Sequence, residues 1–291
     1  MANYYKPSGK FSPVSLIYFI LVSLTVLPLL GLIYAYCIWY IPFIYINFLI
    51  AAAFGALISV IINKTVIKMG KVRNVTLSLL LGLTGGLIAL YFHWAVWVDL
   101  VINAGESYGS SKIGITVSNI KVLQVFSLAS EPGTLLHLIK EINSTGTWGI
   151  RSSTVSGTFL WIIWLIEFLI IVGISSLMSM LASKKPYCEI GDIWFKEKIL
   201  PAFSYIENKE KMISDLEKTN NNSFDDLIKV ESTEQSHSIF TLYTSQNAEN
   251  YLSIENKTAK TDSKGKIDFD NDEFIEYISI NNQLCKVLLE K

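Results

Sequence analysis

The chain has 291 residues, of which 51% are hydrophobic and only 17% are charged. Soluble globular proteins carry roughly 25% charged residues, so this composition excludes an ordinary soluble protein and indicates a membrane protein. Residues 1–182 contain ten Lys and Arg against five Asp and Glu, whereas residues 183–291 contain fourteen Lys against twenty Asp and Glu, a net charge of −6. Because an acidic tail repels phosphate backbones, nucleic acid is not expected as a partner.

The first apolar run extends over residues 15–36 and is long enough to cross the ~30 Å hydrocarbon core. Two lysines precede it, as in a signal peptide, but the run is too long for a signal core and no small-residue cleavage site follows. We therefore predict a first span, kinked at Pro28, because proline lacks a backbone N–H. A turn follows with Trp39 and Tyr40, aromatic residues typical of the membrane interface.

The second and third spans are predicted at residues 41–62 and 75–98. Each carries small residues at every fourth position, a pattern that lets helix backbones approach closely in lipid. The first stripe is Ala51, Gly55 and Ser59, and the second is Ser78, Gly82 and Gly86. The simplest prediction is that these two spans pack against each other through the stripes. A seam between two copies of the chain in a homo-oligomer is the alternative.

The segment between these spans, residues 63–74, is strongly basic. Its Lys64, Lys68, Lys71 and Arg73 are accompanied by no acidic residue. By the positive-inside rule this loop is cytoplasmic. With a fourth span at residues 157–182, both termini then fall in the cytoplasm. A site for anionic lipid is the alternative reading of the same charges.

The segment at residues 99–156 is then extracytoplasmic. Apolar residues near helical spacing predict an amphipathic helix over residues 116–129, although an irregular strand stays open. A second helix is predicted at residues 135–142, with Ser130 as its N-cap. Short helices of this kind lie on the bilayer or cap a bundle.

The tail, residues 183–291, is predicted to form a small cytoplasmic α+β domain. The predicted helices are residues 200–208, 209–218 and 222–231, the strands are 238–244, 251–258 and 274–280, and a last helix buries Leu284, Val287 and Leu288. Period-two alternation in the strands and a turn-forming segment between polar arms support this assignment.

Glu167 is the only carboxylate within any predicted span, about 15 Å inside the fourth by helical rise. A charge at that depth costs about 3 kcal/mol or more, so the group is expected to be neutral or hydrogen-bonded. Counting inward places His93, Tyr91 and Asn47 at comparable depth. Glu167 with His93 predicts a proton or cation site, whereas a lone acid bonded across helices predicts a structural role. The absence of a second charge in the spans favours the structural role.

No metal ligand set, cofactor motif or catalytic constellation is predicted, so the chain is not expected to be an enzyme. Cys37 falls at the face opposite Cys188 and Cys285, which excludes it from pairing with either and leaves free thiols as the simple reading. Cys188 and Gly191 have the form of half a Cys-x-x-Cys site that lacks its second ligand.

Four segments carry a resemblance to a known family. They are residues 5–13 (YKPSGKFSP), 39–45 (WYIPFIY), 146–149 (GTWG) and 164–167 (WLIE). Together they resemble a family of uncharacterised bacterial multi-pass membrane proteins, over roughly residues 1–200. The resemblance implies a location in the bacterial inner (plasma) membrane and supplies no activity. It also implies a second cysteine in relatives where Gly191 stands.

The predicted fold is therefore an α-helical membrane bundle of four transmembrane helices, both termini cytoplasmic, with a small C-terminal α+β soluble domain. The leading hypothesis is a non-enzymatic membrane scaffold or adaptor that presents its acidic domain to a protein partner. The alternative is a small transporter or channel component that uses Glu167. An enzyme acting on lipid or peptide at the membrane ranks third.

Overall fold

The computed structural model describes residues 4–41, 43–109, 114–146, 149–150, 153–218, 224, 227–230, 234–245, 249–263 and 265–291. Pro42 and Trp148 of the resemblance segments lie outside these ranges. The chain divides into two compact units, one of residues 9–183 and one of residues up to Ser8 together with 184–291. The first is called the helical unit and the second the tail unit.

The first span consists of two helices, α1 (Val14–Leu24) and α2 (Val26–Tyr40). The helix is interrupted at Thr25, three residues before Pro28. A proline ring clashes with the carbonyl four residues earlier, here that of Leu24, which explains a break at this position. The helix is thus interrupted next to the predicted kink, but the turn predicted to contain Trp39 and Tyr40 is wrong at these residues, because α2 continues to Tyr40.

The other long helices are α3 (Ile44–Ile61), α4 (Val75–Ile102) and α7 (Gly157–Ala182), the last with the predicted bounds. A π-helical segment, Ile62–Lys68, extends α3 into the stretch that was predicted as a loop. With the first span, these make four helices among the described residues that are long and apolar enough to cross a membrane, with mean hydropathies from 2.0 to 2.6. A bent pair at Val122–Ser130 and Pro132–Thr145 would make a fifth if it is one span. The observed helices fit a multi-pass membrane protein.

The turn after the π-helix packs against the chain that precedes α1. The Ser12 N–H donates to the Gly70 carbonyl at 3.3 Å, and the Arg73 N–H donates to the Lys10 carbonyl at 2.8 Å. Asn74 then caps α4 by accepting from the Leu77 N–H at 2.8 Å. An Asn at the N-cap satisfies a helix-end donor that has no partner inside the helix.

The segment between α4 and α7 contains two short hairpins and two helices. The hairpins pair β1 (Ser107–Gly109) with β2 (Gly114–Thr116) and β3 (Gly149–Ile150) with β4 (Ser153–Thr154). Between them, α5 (Val122–Ser130) and α6 (Pro132–Thr145) meet at an angle of 106°. Ser130 ends α5 and donates to the Ser127 carbonyl, so its predicted role as an N-cap is wrong.

Both loop helices pack on the last turns of α4. Val125 and Leu128 of α5 and Leu135 and Ile139 of α6 are buried in one cluster with Trp97. Trp39 and Tyr40 of α2 bond to the same segment. The Trp39 indole N–H donates to the Thr116 carbonyl at 2.8 Å, and the Tyr40 hydroxyl donates to the Ser118 carbonyl at 3.1 Å. The polar groups of these two aromatic residues are thus bonded to protein.

The tail unit contains an antiparallel sheet. Its strands are β7 (Lys196–Ile199), β8 (Phe203–Ser204), β9 (His237–Thr244), β10 (Asn250–Thr261) and β11 (Ile267–Ile280), in the order β11-β10-β9-β7 with β8 also on β9. A separate hairpin joins β5 (Tyr187–Cys188) to β6 (Ile193–Trp194). Helix α8 (Lys209–Glu217) lies between β8 and β9, and helix α9 (Asn282–Glu290) comes after β11. The predicted helix at 200–208 is wrong, because β8 lies there.

Aromatic side chains fill the core of the tail unit. Phe203, Phe224 and Phe240 are fully buried, and the Phe240 ring makes edge contacts with both of the others, at 5.1 and 6.4 Å between centroids. Of the helix predicted at 222–231, only 224 and 227–230 are described, and Lys229 forms a bridge with Phe203.

The N-terminal segment is part of this sheet. Tyr4 forms an antiparallel bridge with Ile278, and the Tyr5 N–H donates to the Tyr277 carbonyl at 2.9 Å. The Tyr5 ring packs edge-on against Tyr251 at 5.5 Å and Tyr277 at 6.3 Å. The tail unit therefore includes residues that precede the first span as well as those that follow the fourth, whereas the sequence predicted the α+β domain from residues 183–291 alone.

Replacing Tyr5 by Ala is expected to loosen the edge of this sheet. The variant loses two ring contacts, each worth about 1 kcal/mol in addition to the area they bury. Amide hydrogens of β10 and β11 should exchange faster in full-length protein, by roughly tenfold. Phe11→Ala is the control, because Phe11 is 42% exposed and belongs to the helical unit. Unchanged exchange in the Tyr5 variant would contradict the pairing.

Candidate functional site

Glu167 lies ten residues inside α7, about 15 Å along the helix from Gly157. Leu160 and Ile171, on the same face, are fully buried, and Trp164 packs against three other indole rings. The face predicted to point into the bundle therefore does so. Glu167 itself is half-buried, and within the described residues no hydrogen bond reaches its carboxyl group.

His93 lies nine residues before the end of α4 and is 5% exposed. Its ring contacts Tyr34 at 4.6 Å and Trp94 at 5.4 Å between centroids. No hydrogen bond satisfies its Nδ1 atom among the described residues. An unpaired polar atom in an apolar interior costs about 1–3 kcal/mol of folding free energy, so a hydrogen-bond partner for Nδ1 would stabilise the bundle.

Tyr34 of α2 completes this group and was not predicted. It is 2% exposed, lies flat on Phe54 of α3 at 4.3 Å, and its hydroxyl has no hydrogen-bond partner in the described chain. The hydroxyl is within electrostatic range of the Glu167 carboxyl. Tyr34, His93 and Glu167 thus bring polar groups from three spans to one region of the bundle, here called the intramembrane polar group. Counting depth did not indicate Tyr34, because the first span was predicted to end at residue 36, whereas α2 continues to Tyr40.

The other two residues predicted at this depth have different surroundings. Tyr91 donates its hydroxyl to the Ala129 carbonyl at 2.7 Å, so it holds the end of α5 against α4. Asn47 lies in the first turn of α3, which is shallower than predicted, because α3 begins at Ile44. Its Oδ1 atom is buried without a partner among the described residues. Neither residue has a described contact with Glu167.

Four tryptophans lie next to the intramembrane polar group, on the side toward the end of α4 and the start of α7. Trp94, Trp97, Trp161 and Trp164 meet edge-to-face, with centroids 4.8 to 5.7 Å apart. Trp164 lies three residues before Glu167, nearly one helical turn away. The His93 ring contacts Trp94 of this cluster, so packed indole rings border the polar group on that side.

The two stripes of small residues do not pack against each other, which corrects the prediction. Both pack on α7: a Cβ added at Gly55 would lie 2.8 Å from the Ile171 carbonyl, and one at Gly86 would lie 2.6 Å from the Ser175 hydroxyl. Ala51, Ser59 and Ser78 are fully buried in these same faces. The fourth span is therefore the helix around which the second and third are packed.

Serines of α7 supply the polar contacts of this packing. The Ser175 hydroxyl donates to the Gly82 carbonyl at 3.1 Å, and the hydroxyl oxygens of Ser179 and Ser59 are 3.5 Å apart. The Asn63 side-chain N–H group donates to the Ser59 hydroxyl oxygen at 3.0 Å and to the Met178 carbonyl at 3.3 Å. Serine hydroxyls bonded across helices stabilise membrane bundles while keeping backbones close.

Asp99 is a second carboxylate within a span, contrary to the prediction that Glu167 is the only one. It was placed outside because the third span was predicted to end at residue 98, whereas α4 continues to Ile102. Asp99 is fully buried, and its Oδ2 accepts the Lys121 N–H at 2.8 Å. Lys121 is the N-cap of α5, so the carboxylate lies at the positive end of that helix.

Replacing Asp99 by Ala is expected to release α5 from α4. The Lys121 N–H loses a charge-assisted bond worth about 1.5–3 kcal/mol. Amide exchange across α5 should accelerate in the alanine variant and change much less in Asp99→Asn, which keeps an acceptor oxygen. Equal exchange in both variants would mean that the carboxylate does not hold the loop. Glu141→Gln is a control for loss of an exposed acid on α6.

The three cysteines are free thiols. Cys188 is buried and accepts the Gly191 N–H on its sulfur at 3.2 Å, within the β5–β6 hairpin. Within the described ranges, no group of three or more His, Cys, Asp or Glu side chains is arranged to hold a metal ion.

Compared with known proteins, the chain matches no protein-family model, no curated protein and no solved structure. The resemblance noted in the sequence therefore stays a prediction. The geometry of each of the two units is therefore the basis for proposing a function.

Proposed function

We propose that the chain is a non-enzymatic scaffold of the bacterial cell membrane, which presents its acidic tail unit to a protein partner at the cytoplasmic face. The observation that carries the proposal is the pairing of Tyr4 and Tyr5 with the tail sheet. Residues from both parts of the chain that flank the long helices build one folded unit, and this supports a topology in which four spans return the chain to the same side of the membrane. The basic residues of the 63–74 segment favour the cytoplasm for that side.

The character of the tail unit supports a binding role. It has its own aromatic core and a net charge of −6 over residues 183–291. A folded acidic unit held at a membrane by four spans has a high local concentration for any partner confined to the same surface. A binding role of this kind requires no catalytic activity in the tail unit.

Photo-crosslinking in intact cells tests this proposal with the full-length chain. A photoreactive residue is placed at Ile199 or Ile228 of the tail, which are 65% and 70% exposed, and at Leu123 of α5 as the control. The tail positions should yield a discrete adduct with one protein that the control does not yield. No adduct at either tail position would overturn the scaffold. A truncated tail is unsuitable as bait, because it would lack residues 4–8.

The intramembrane polar group supports a second candidate, a small transporter or channel component for protons or cations. Tyr34 and His93 are in ring contact and hold buried polar atoms without partners among the described residues, and an ionisable residue such as Glu167 inside a membrane bundle is a default site for ion passage. The tryptophans beside the group argue against an open pore, so this candidate would require movement of those rings.

Glu167→Gln tests the second candidate. If Glu167 carries protons, purified wild-type protein in liposomes should dissipate an imposed pH gradient, and the variant should do so at least about tenfold more slowly, since the amide cannot ionise. Glu141→Gln, at an exposed acid of α6, is the matched control. Equal rates in wild type and the Glu167 variant, or no flux in either, would remove this candidate.

A further inference from the structure

The free edge of the tail sheet is strand β11. It pairs with β10 on one side, and on the other the described backbone pairs only through Tyr4 and Tyr5, at Ile278 and Tyr277. Residues 267–268 and 270–273 are exposed. From Ile267 to Phe274, the described part of the chain offers no strand to the outer backbone N–H and C=O groups. Such an edge is a template for pairing with another chain.

The chain itself shows that this edge accepts an added segment. Tyr4 and Tyr5 run antiparallel to the end of β11 and bond to its backbone. The pairing stops at Pro7, because proline has no N–H to donate to a strand. The next residue, Ser8, turns away and bonds to Glu189 at 2.7 Å. The N-terminus thus pairs with one end of the edge, and no other described strand pairs with the rest of it.

The open part of the edge is acidic. Strand β11 contains Asp268, Asp270, Asp272, Glu273 and Glu276 and no basic residue. Lys260 pairs with Asp270 and Lys209 pairs with Asp272, which neutralises two of the five. Partial burial raises the pKa of Glu273, and repulsion from Glu276 and Glu255 raises it further. Carboxylates that repel one another favour a positively charged neighbour.

We propose that the edge of β11 from Ile267 to Phe274 binds a basic, extended segment of the protein partner, which adds to the sheet as a further strand. The inference rests on the proposed scaffold function and names the surface and the kind of segment it takes. Backbone bonds would supply the affinity, and Lys or Arg side chains at every second position of the added strand would all lie on one face, beside Asp268, Asp270 and Asp272, which share a face of β11. Charged edges also protect sheets from aggregation, and that role is the competing outcome.

Two labelled peptides of equal charge separate strand addition from simple charge attraction. The first alternates Lys and Val over ten residues, and the second has Pro in place of the central Val residues, which removes backbone donors. Binding is measured by fluorescence anisotropy on the full-length protein in zwitterionic nanodiscs. The valine peptide should bind with 1:1 stoichiometry and at least ten times more tightly than the proline peptide. It should also slow amide exchange between residues 267 and 274.

Paired charge reversals locate the site. Asp268→Lys with Asp270→Lys should weaken the valine peptide at least tenfold. Glu207→Lys with Glu290→Lys changes the net charge equally at exposed positions outside β11 and should leave binding within twofold. Circular dichroism of each variant confirms that the sheet is intact. Equal binding of both peptides, equal loss in both pairs of variants, or no binding at all would overturn the inference and leave the acids as protection against aggregation.

These failures are distinguishable from failure of the scaffold. Ile199 lies on β7, at the opposite edge of the sheet from β11. If crosslinking at Ile199 persists while the peptides do not bind β11, the partner uses another surface. If no tail position forms an adduct, the scaffold proposal itself fails.

Discussion

Replacing Gly82 by Ala should destabilise the helical unit, although alanine is normally the better helix former by about 1 kcal/mol. An added methyl group at Gly82 would overlap the Ser175 carbonyl and lie 2.8 Å from the Ser179 Cβ. The first of these is backbone and cannot rotate away, so α4 and α7 would have to separate. Overpacking of this kind costs about 1–3 kcal/mol, which exceeds the gain in helix propensity.

Gly173 provides a matched control in the same bundle. It lies within α7, and a Cβ built there meets nothing within 4 Å. Gly173→Ala should therefore leave stability unchanged or raise it by up to about 1 kcal/mol. Unfolding of the full-length protein in mixed micelles by increasing denaturing detergent measures both variants. Equal stability of the two variants would contradict the close approach of α4 and α7.

Replacing Phe240 by Ala should unfold the tail unit while the helical unit stays folded. The ring is fully buried between Phe203 and Phe224, and truncating a core phenylalanine costs about 3–5 kcal/mol. Domains of this size are stable by about 5–15 kcal/mol, so the loss takes most of the margin. Limited proteolysis of the full-length variant in micelles should degrade residues 184–291 and leave a fragment near residues 9–183.

Ile199→Ala is the control for this experiment, because Ile199 lies in the same sheet but is 65% exposed. A surface substitution should change stability by no more than about 0.5 kcal/mol, and its proteolysis pattern should match the wild type. Loss of the helical fragment together with the tail in Phe240→Ala would show that the two units do not fold independently.

Local composition was sufficient to predict the long helices. The bounds of α7 agree with the predicted fourth span, because an apolar run between polar segments is a local signal that needs no partner to interpret. The same holds for the strands at 238–244, 251–258 and 274–280, which lie within or nearly match β9, β10 and β11. Helix ends were less well predicted: α4 runs four residues past the predicted end, and this alone hid Asp99 in the sequence.

The tertiary structure decided which helices and strands contact each other. A stripe of small residues indicates that another helix approaches closely, but its spacing does not say which helix that is. Here α7 packs on both stripes, and its serines bond to Gly82 and Ser59. Tyr34 joins His93 and Glu167 only because three helices bring one face each to a common region. The pairing of Tyr5 with Tyr277 joins residues from the two ends of the chain, and no local pattern encodes it. The sequence by itself determined a four-span chain with an acidic tail, since hydropathy and charge are local properties. The contacts among spans, and the sheet edge that the N-terminus partly covers, depend on side chains far apart in sequence.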